Sequence, residues 1–251
     1  MEGGPLLQDW WVKMASEEFV PYLNIATRVR DTPDQGMLQQ MGGRGFPYFV
    51  VLDPGGARVV PGPAYPQFRP MNESGTRVAL VGAQELISAR KSFAADPKNA
   101  ALSANVTLLE ALLLSTSPSA DRIAKAKEAK GVDPQLAQRY AIREVLQRYS
   151  KTPRGDDAAR QKAYDIAARE MLSVHRNGKP LTDSRLRVFS DYWRLVFDGA
   201  LLDGELEIAE SALSVYRRVF SSQPGKRQRI DVMTQRLEEM KKTRDAGKSS
   251  D

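Results

Sequence analysis

The sequence contains no cysteine, and histidine occurs once, at His175. Without cysteine the chain can form no disulfide, no thiolate nucleophile, no iron–sulfur cluster and no cysteine-ligated zinc site. A single histidine also excludes metal motifs built on histidine pairs and leaves one candidate for a histidine-based triad. His175 falls late in a predicted helix, where a cation is favourable. We therefore expect it to cap that helix or lie at the surface, without a catalytic role.

Long apolar runs and phosphate-binding loops are absent as well. No run of about 18 apolar residues occurs, so we expect no membrane-spanning helix. Neither G-x-G-x-x-G nor G-x-x-x-x-G-K is present, so nucleotide binding has no sequence support. The first residues lack the basic and apolar regions of a signal peptide, which predicts a cytoplasmic protein. It would be periplasmic or secreted if a signal peptide upstream of Met1 had been omitted. We expect no metal, no cofactor and no enzymatic activity in the chain as written.

Positive charge is present but unevenly spread. The 251 residues carry a net charge of +6, while residues 1–80 hold seven Lys and Arg against eight Asp and Glu. The excess lies in the later, helical part, where acidic residues accompany it throughout. A nucleic-acid footprint normally shows a denser cluster of one sign with interleaved aromatic residues. The pattern therefore predicts a solvated helical surface, and a nucleic-acid partner is not expected.

Two regions with different periodicity divide the chain. Residues 1–95 mix helix and strand signals, of which the clearest is an aromatic and β-branched strand at 46–52. Asp53-Pro54-Gly55-Gly56 then predicts a tight turn into a returning strand at 57–60. Residues 96–251 show helical periodicity without a convincing strand. Helices are predicted near 98–115, 119–130, 134–149, 156–177, 183–202, 205–221 and 227–243, and the basic tail from 241 onward is expected to fray.

The segment Gly45–Gly56, with its proline, strand and turn, resembles the central hairpin of the thioredoxin-like family. The resemblance covers roughly residues 5–95 and implies an α/β thioredoxin-like domain, possibly truncated, joined to an all-α helical-hairpin domain over 96–251. It implies that Pro47 is a cis-proline, since only X–Pro bonds adopt cis at appreciable frequency. It also implies a peptide-binding surface formed by Phe46, Pro47 and Tyr48. A trans Pro47 that only begins a strand is the alternative.

The C-x-x-C motif of that family is missing. Its two cysteines would fall at Gln8 and Trp11, and neither residue can carry thiol–disulfide exchange. The first domain is thus either a degenerate, non-redox copy or a family member whose true start lies upstream of Met1.

In the second region, Trp193, Val196, Ala209 and Leu213 are partly similar to a tetratricopeptide repeat. No 34-residue period continues through the region. Stacked helical hairpins present concave surfaces to partners, so this similarity favours binding over catalysis.

The sequence therefore predicts a non-catalytic thioredoxin-like binding or scaffold protein that engages a protein or peptide partner. The alternative is a thiol–disulfide oxidoreductase whose redox cysteines lie upstream of an incorrect start. The partner's identity and the oligomeric state are not predicted.

Overall fold

The computed structural model describes residues 5–22, 36–43, 48–60, 73–114, 118–153, 155–184, 186 and 188–248. About 73% of the described residues are helical, and the same ranges contain one sheet of two strands. Two compact units divide the chain, Met1–Asp133 (unit 1) and Pro134–Asp251 (unit 2). The predicted boundary between 95 and 96 coincides with the end of a helix, and whether an independent domain ends there stays a prediction.

The described part of unit 1 contains a 3-10 turn at Pro5–Leu7, five α-helices and a hairpin. The elements are α1 (Asp9–Glu17), α2 (Met37–Gln40), β1 (Val51–Leu52), β2 (Arg58–Val60), α3 (Glu73–Ala95), α4 (Ala100–Leu113) and α5 (Ala120–Glu128). β1 and β2 are antiparallel, with Val51 opposite Val60 and a bulge next to it. β2 packs on α3 and α4, and its Val59 and Val60 are fully buried.

The turn between the strands confirms the local prediction. The Oδ1 atom of Asp53 accepts hydrogen bonds from the backbone N–H of Gly55, at 3.0 Å, and of Ala57, at 2.8 Å. Gly56 follows with a φ of +81°, a conformation that glycine adopts without steric cost. The aspartate therefore holds the turn, as expected for this residue type in a tight reversal.

The expectation of an α/β thioredoxin-like domain over residues 1–95 is wrong. Such a fold requires a multi-stranded central sheet, whereas the described part of unit 1 contains only the hairpin β1–β2 among helices. Of the predicted strand at 46–52, the structure shows Val51–Leu52 as a strand, while residues 46 and 47 lie outside the described part of the chain. A hairpin signal is local, and it does not specify whether further strands pair with it.

Unit 2 consists of five helices in the described residues. They are α6 (Pro134–Ser150), α7 (Asp157–Asn177), α8 (Phe189–Leu202), α9 (Leu206–Phe220) and α10 (Pro224–Lys248). Contacts between their side chains show that each runs antiparallel to the next: Tyr149 lies against Tyr164, His175 bonds to Tyr192, Tyr216 to Ser190, and Lys241 to Glu210. The predicted helical hairpin α8–α9 is confirmed, with Gly204 at φ +75° in its turn.

Helix α8 is the centre of unit 2. Ten of its residues are buried, and eight of these, including Phe189, Leu195 and Phe197, belong to one apolar core with side chains of α6, α7, α9 and α10. The last helix extends beyond its predicted end at 243. The tail was expected to fray from Lys241 onward, whereas α10 continues as far as Lys248. Pro224 occupies its first turn, where a missing N–H costs nothing.

Candidate functional site

Of the three residues predicted to bind a peptide, the structure describes Tyr48, which precedes the hairpin of unit 1. Phe46 and Pro47 lie outside the described residues, so the predicted cis peptide bond at Pro47 stays a prediction. Tyr48 is half-buried, and its hydroxyl donates to the backbone carbonyl of Met41 at 2.8 Å. The same carbonyl accepts from Arg58 Nη1 at 2.5 Å. Tyr48 thus fastens the end of α2 to the hairpin, and its binding role stays a prediction.

The two positions assigned to the lost redox motif lie at the start of α1. Gln8 precedes the helix as its N-cap residue and makes no side-chain capping bond. Trp11 packs edge-on against Trp10 and Phe19, with ring centroids 5.9 and 5.3 Å apart. No hydrogen bond or ring contact of the described residues joins Tyr48 to Gln8 or Trp11, and the predicted roles of these residues stay predictions.

A polar cluster around the buried Asp198 of unit 2 was not predicted. Asp198 of α8 is only 4% exposed, and its carboxylate accepts from the Tyr164 hydroxyl of α7 through Oδ2 and from Arg236 Nη1 of α10 through Oδ1. We call Tyr164, Asp198 and Arg236 the Asp198 cluster. The guanidinium carbon of Arg194, which is also on α8, lies 5.5 Å from the ring centroid of Tyr164.

The electrostatics of the Asp198 cluster follow from its burial. Desolvation raises the pKa of Tyr164, and the negative charge of Asp198 raises it further, since both disfavour a phenolate there. Tyr164 therefore remains a hydrogen-bond donor at neutral pH. Arg236 supplies the positive charge that a buried carboxylate requires. With both oxygens of Asp198 occupied, the cluster ties α7, α8 and α10 together.

A second cluster joins the ends of α7 and α8. His175 Nδ1 lies 2.7 Å from the Tyr192 hydroxyl, and its ring packs edge-on against Trp193 at 5.4 Å between centroids. Burial lowers the pKa of His175 and raises the pKa of Tyr192 to about 12, since it penalises the charged form of each. His175 is in the last turn of α7, as predicted, but it is half-buried and partnered rather than at the surface.

A third polar contact joins the beginnings of α8 and α10. Ser190 Oγ lies 3.1 Å from the Tyr216 hydroxyl of α9, and it also accepts a hydrogen bond from Lys226 Nζ of α10 at 3.2 Å. Lys226 also lies over the ring of Phe220, at 5.4 Å from its centroid. Ser190 therefore connects three helices at one end of unit 2.

One feature of the sequence indicates the Asp198 cluster, but helical periodicity alone does not reveal it. Asp198 stands inside the run Leu195-Val196-Phe197-Asp198-Gly199-Ala200-Leu201, where a carboxylate among apolar residues requires partners if the run is buried. Its partners come from positions 34 residues earlier and 38 residues later. Only the packing of the helices identifies them.

Over the ranges that the structure covers, no group of three or more His, Asp or Glu is placed to hold a metal ion. The described helices also include none that is long and apolar enough to cross a membrane. No protein-family model, no curated protein and no solved structure matches the chain. The resemblance to the thioredoxin-like family is therefore wrong, because neither the fold nor any family match supports it, and the similarity to tetratricopeptide repeats has no support either.

Proposed function

We propose that this chain is a non-catalytic binding or scaffold protein that engages a protein or peptide partner through unit 2. The observation that carries the proposal is the arrangement of α6–α10, in which every helix packs antiparallel on the next in the chain. Successive helical hairpins present long rows of side chains, a surface suited to a macromolecular partner.

The buried polar groups of unit 2 support the same proposal. Tyr164 stays protonated, Asp198 is paired with a guanidinium, and the single histidine is bonded to Tyr192. The hydrogen bonds of these groups join neighbouring helices to each other. A binding scaffold needs such internal ties because they hold neighbouring helices in a defined register.

The enzymatic alternative, an oxidoreductase with upstream cysteines, stays an untested prediction, and no contact of the described residues favours it. The peptide-binding surface at Phe46, Pro47 and Tyr48 also stays a prediction. It was inferred from a resemblance to a family that the chain does not match. A Pro47→Ala chain that keeps its fold and recovers the partner as wild type does would remove that surface.

Affinity capture with the full chain, tagged at its N-terminus, tests the proposal. The expected result is a protein recovered in proportion to the bait, which then binds the purified chain saturably in calorimetry without chemical change to either. Val12→Asp is the control, since Val12 lies in α1 and is 58% exposed. It should leave recovery unchanged if the partner contacts unit 2. Absence of any saturable partner would contradict the proposal, and loss of recovery with Val12→Asp would move the contact to unit 1.

A further inference from the structure

Positive charge accumulates where α9 ends and α10 begins. No Asp or Glu occurs between Glu210 and Asp231, and this interval contains five Lys and Arg, whereas no other interval between two acids contains more than three. We call these five residues the basic corner: Arg217, Arg218, Lys226, Arg227 and Arg229. The four arginines are exposed and the lysine is half-buried. The corner therefore presents a concentration of one charge sign to the solvent.

Contacts across the turn between α9 and α10 bring these cations together. Arg227 Nε of α10 donates to the backbone carbonyl of Ser221, at the end of α9, at 3.3 Å. In the opposite direction, Arg217 Nη2 of α9 donates to Thr234 Oγ1 of α10 at 2.9 Å. Lys226 lies beside the first of these contacts and reaches the last residue of α9 through its ring. The five charges thus lie around one corner of unit 2.

The acids of the described residues do not neutralise the basic corner. Other cations of unit 2 form ion pairs with acids of a neighbouring element, as Arg148, Arg176 and Lys241 do. Within the part of the chain that the structure describes, none of the five corner residues forms such a pair, and Arg218 and Arg229 make no side-chain hydrogen bond. Their charge therefore acts outward rather than between helices.

This distribution of charge is unfavourable for the fold itself. Helices α7, α8 and α9 each have an acid in the first turn, where the helix dipole favours negative charge. The first turn of α10 contains Lys226 and Arg227 and no acid. Like charges that gather without counter-charges also repel one another. Folding alone would favour acids among these cations, so their exclusion indicates a negative partner outside the fold.

From this uncompensated charge we propose that the basic corner is the surface through which unit 2 binds its protein partner, and that the partner meets it with a segment rich in Asp and Glu. The inference rests on the proposed function and names its contact. Opposite charges across an interface steer association and disfavour partners that present basic residues. The arginines suit carboxylates in particular, because a guanidinium and a carboxylate can form two parallel hydrogen bonds.

The side chains around the corner favour an acidic protein segment over other polyanions. Proteins that bind single-stranded nucleic acids stack the bases on exposed aromatic rings, whereas Tyr216 and Phe220 are only 0% and 7% exposed. Helices that bind membrane surfaces expose large apolar side chains opposite their cations. None of the exposed large apolar side chains of the described residues lies between positions 211 and 230. The corner offers charge and hydrogen-bond donors, which an acidic segment can satisfy.

A labelled acidic peptide tests the corner in the full chain. The probe is a fluorescein-labelled decapeptide of alternating Glu and Asp, titrated with the protein and followed by fluorescence anisotropy. The variant Arg218→Glu with Arg229→Glu reverses two exposed cations whose side chains hold no other element of the described structure. We expect its affinity for the peptide to be at least about tenfold lower than that of wild type, because attraction is replaced by repulsion.

A matched variant controls for the change in net charge. Arg160→Glu with Lys162→Glu reverses two exposed cations of α7 and changes the net charge by the same amount. Its affinity should stay within about twofold of wild type, since charges outside the contact act only weakly through salt solution. Equal losses in both variants, or no loss in either, would overturn the basic corner. If circular dichroism shows that the Arg218 and Arg229 chain loses helix, Arg218→Gln with Arg229→Gln replaces it.

Two further probes test the chemistry of the occupant. A fluorescein-labelled decathymidylate represents a nucleic acid, and vesicles of phosphatidylserine and phosphatidylcholine represent an anionic membrane. We expect both to bind wild type more weakly than the acidic peptide does. If either bound more tightly, and lost that binding in Arg218→Glu with Arg229→Glu, the corner would bind that polyanion and the acidic protein segment would be overturned.

The failures of the two proposals are distinguishable. If affinity capture recovers a partner equally well with wild type and with Arg218→Glu, Arg229→Glu, the proposed function is kept and the basic corner is overturned. If the corner binds the acidic peptide but the full chain captures no saturable partner, the corner is supported as an acid-binding surface and the proposed function is contradicted.

Discussion

Gly199 of α8 lies directly against the main chain of Ala168 in α7. A Cβ atom added at Gly199 would lie 2.8 Å from the carbonyl carbon of Ala168 and 3.1 Å from the Cβ atom of Leu172, and closer still to the Ala168 oxygen. The two helices therefore approach each other as far as their backbones permit. This close approach brings Tyr164 and His175 of α7 within hydrogen-bonding distance of α8.

Gly199→Ala should separate α7 from α8. The added methyl group meets backbone atoms, which cannot rotate away, so we expect a loss of about 1–3 kcal/mol or more in the free energy of unfolding. Urea denaturation followed by circular dichroism measures it. Gly225→Ala in α10 is the matched control, since its added Cβ meets no atom within 4 Å apart from its chain neighbours and its own helix backbone. It should be neutral or slightly stabilising. Similar losses in both variants would show that the α7–α8 approach is not the cause.

Tyr164→Phe should destabilise unit 2 through Asp198. The change keeps the ring and removes the donor to a carboxylate that is almost fully buried. A lost hydrogen bond to a charged group costs about 1.5–3 kcal/mol. Tyr149→Phe serves for comparison, because Tyr149 contacts Tyr164 through its ring at 5.6 Å and should lose no more than about 0.5 kcal/mol. Urea unfolding curves give the free energy of unfolding of both variants. If this free energy were unchanged in Tyr164→Phe, water would have replaced the hydroxyl as the donor to Asp198.

His175 should make the stability of the protein depend on pH in the weakly acidic range. Burial lowers its pKa from 6.5 in the folded state. As the pH falls from about 7.5 to about 5.5, the unfolded chain therefore binds more protons than the folded one, and the free energy of unfolding decreases. The slope is at most about 1.4 kcal/mol per pH unit for one proton. Urea melts across this range measure it.

The sequence contains no other histidine, so His175→Gln is a clean control. This variant should show a flat profile over the upper part of the range, above the titration of ordinary carboxylates. A slope that persists in His175→Gln would assign the effect to another group.

Asp53→Ala should loosen the hairpin of unit 1. The substitution removes the acceptor of two backbone N–H groups and the partner of Arg90, whose Nη1 lies 3.5 Å from Asp53 Oδ2. We expect local protection to fall by about 1–2 kcal/mol, read from hydrogen exchange of the amides at 51–60. Asp53→Asn keeps a side-chain oxygen for the turn and loses only the charge, so its effect should be smaller. Equal effects would assign the stability to Arg90 instead of the turn.

Local structure in this chain was largely predictable. Helices α4 to α7 and α9 lie close to their predicted ranges because their signals are local: apolar periodicity together with capping residues. Helix α8 ends where predicted but begins at Phe189, six residues after its predicted start. Asn99, Ser119 and Asp156 each accept backbone N–H groups at the start of a helix, as their side chains favour. The turn at Asp53 was predictable for the same reason, since its bonds span at most four residues.

The fold of the N-terminal region was not predictable in this way. Gly45–Gly56 has the residues of a hairpin that occurs within larger sheets. The further strands of such a sheet were expected only because of the resemblance to the thioredoxin-like family. Whether a hairpin joins a sheet depends on pairing with distant segments, and no local pattern encodes such pairing. In the described part of unit 1, helices α3 and α4 pack on β2 instead.

By itself, the sequence determined the helices of the second region, the hairpin turn, and the absence of thiol chemistry, because each follows from residue types or from contacts between near neighbours. Only the tertiary structure decided that Asp198 is buried between Tyr164 and Arg236 and that His175 bonds to Tyr192. It also decided that α10 covers α8 and α9 through a narrow apolar stripe. These relationships join residues 17 to 38 positions apart on different helices. They arise from how closely the helices pack and which faces they bury. The apolar periodicity of the sequence does not contain that information, because it marks the buried face of a helix but not the helix that covers it.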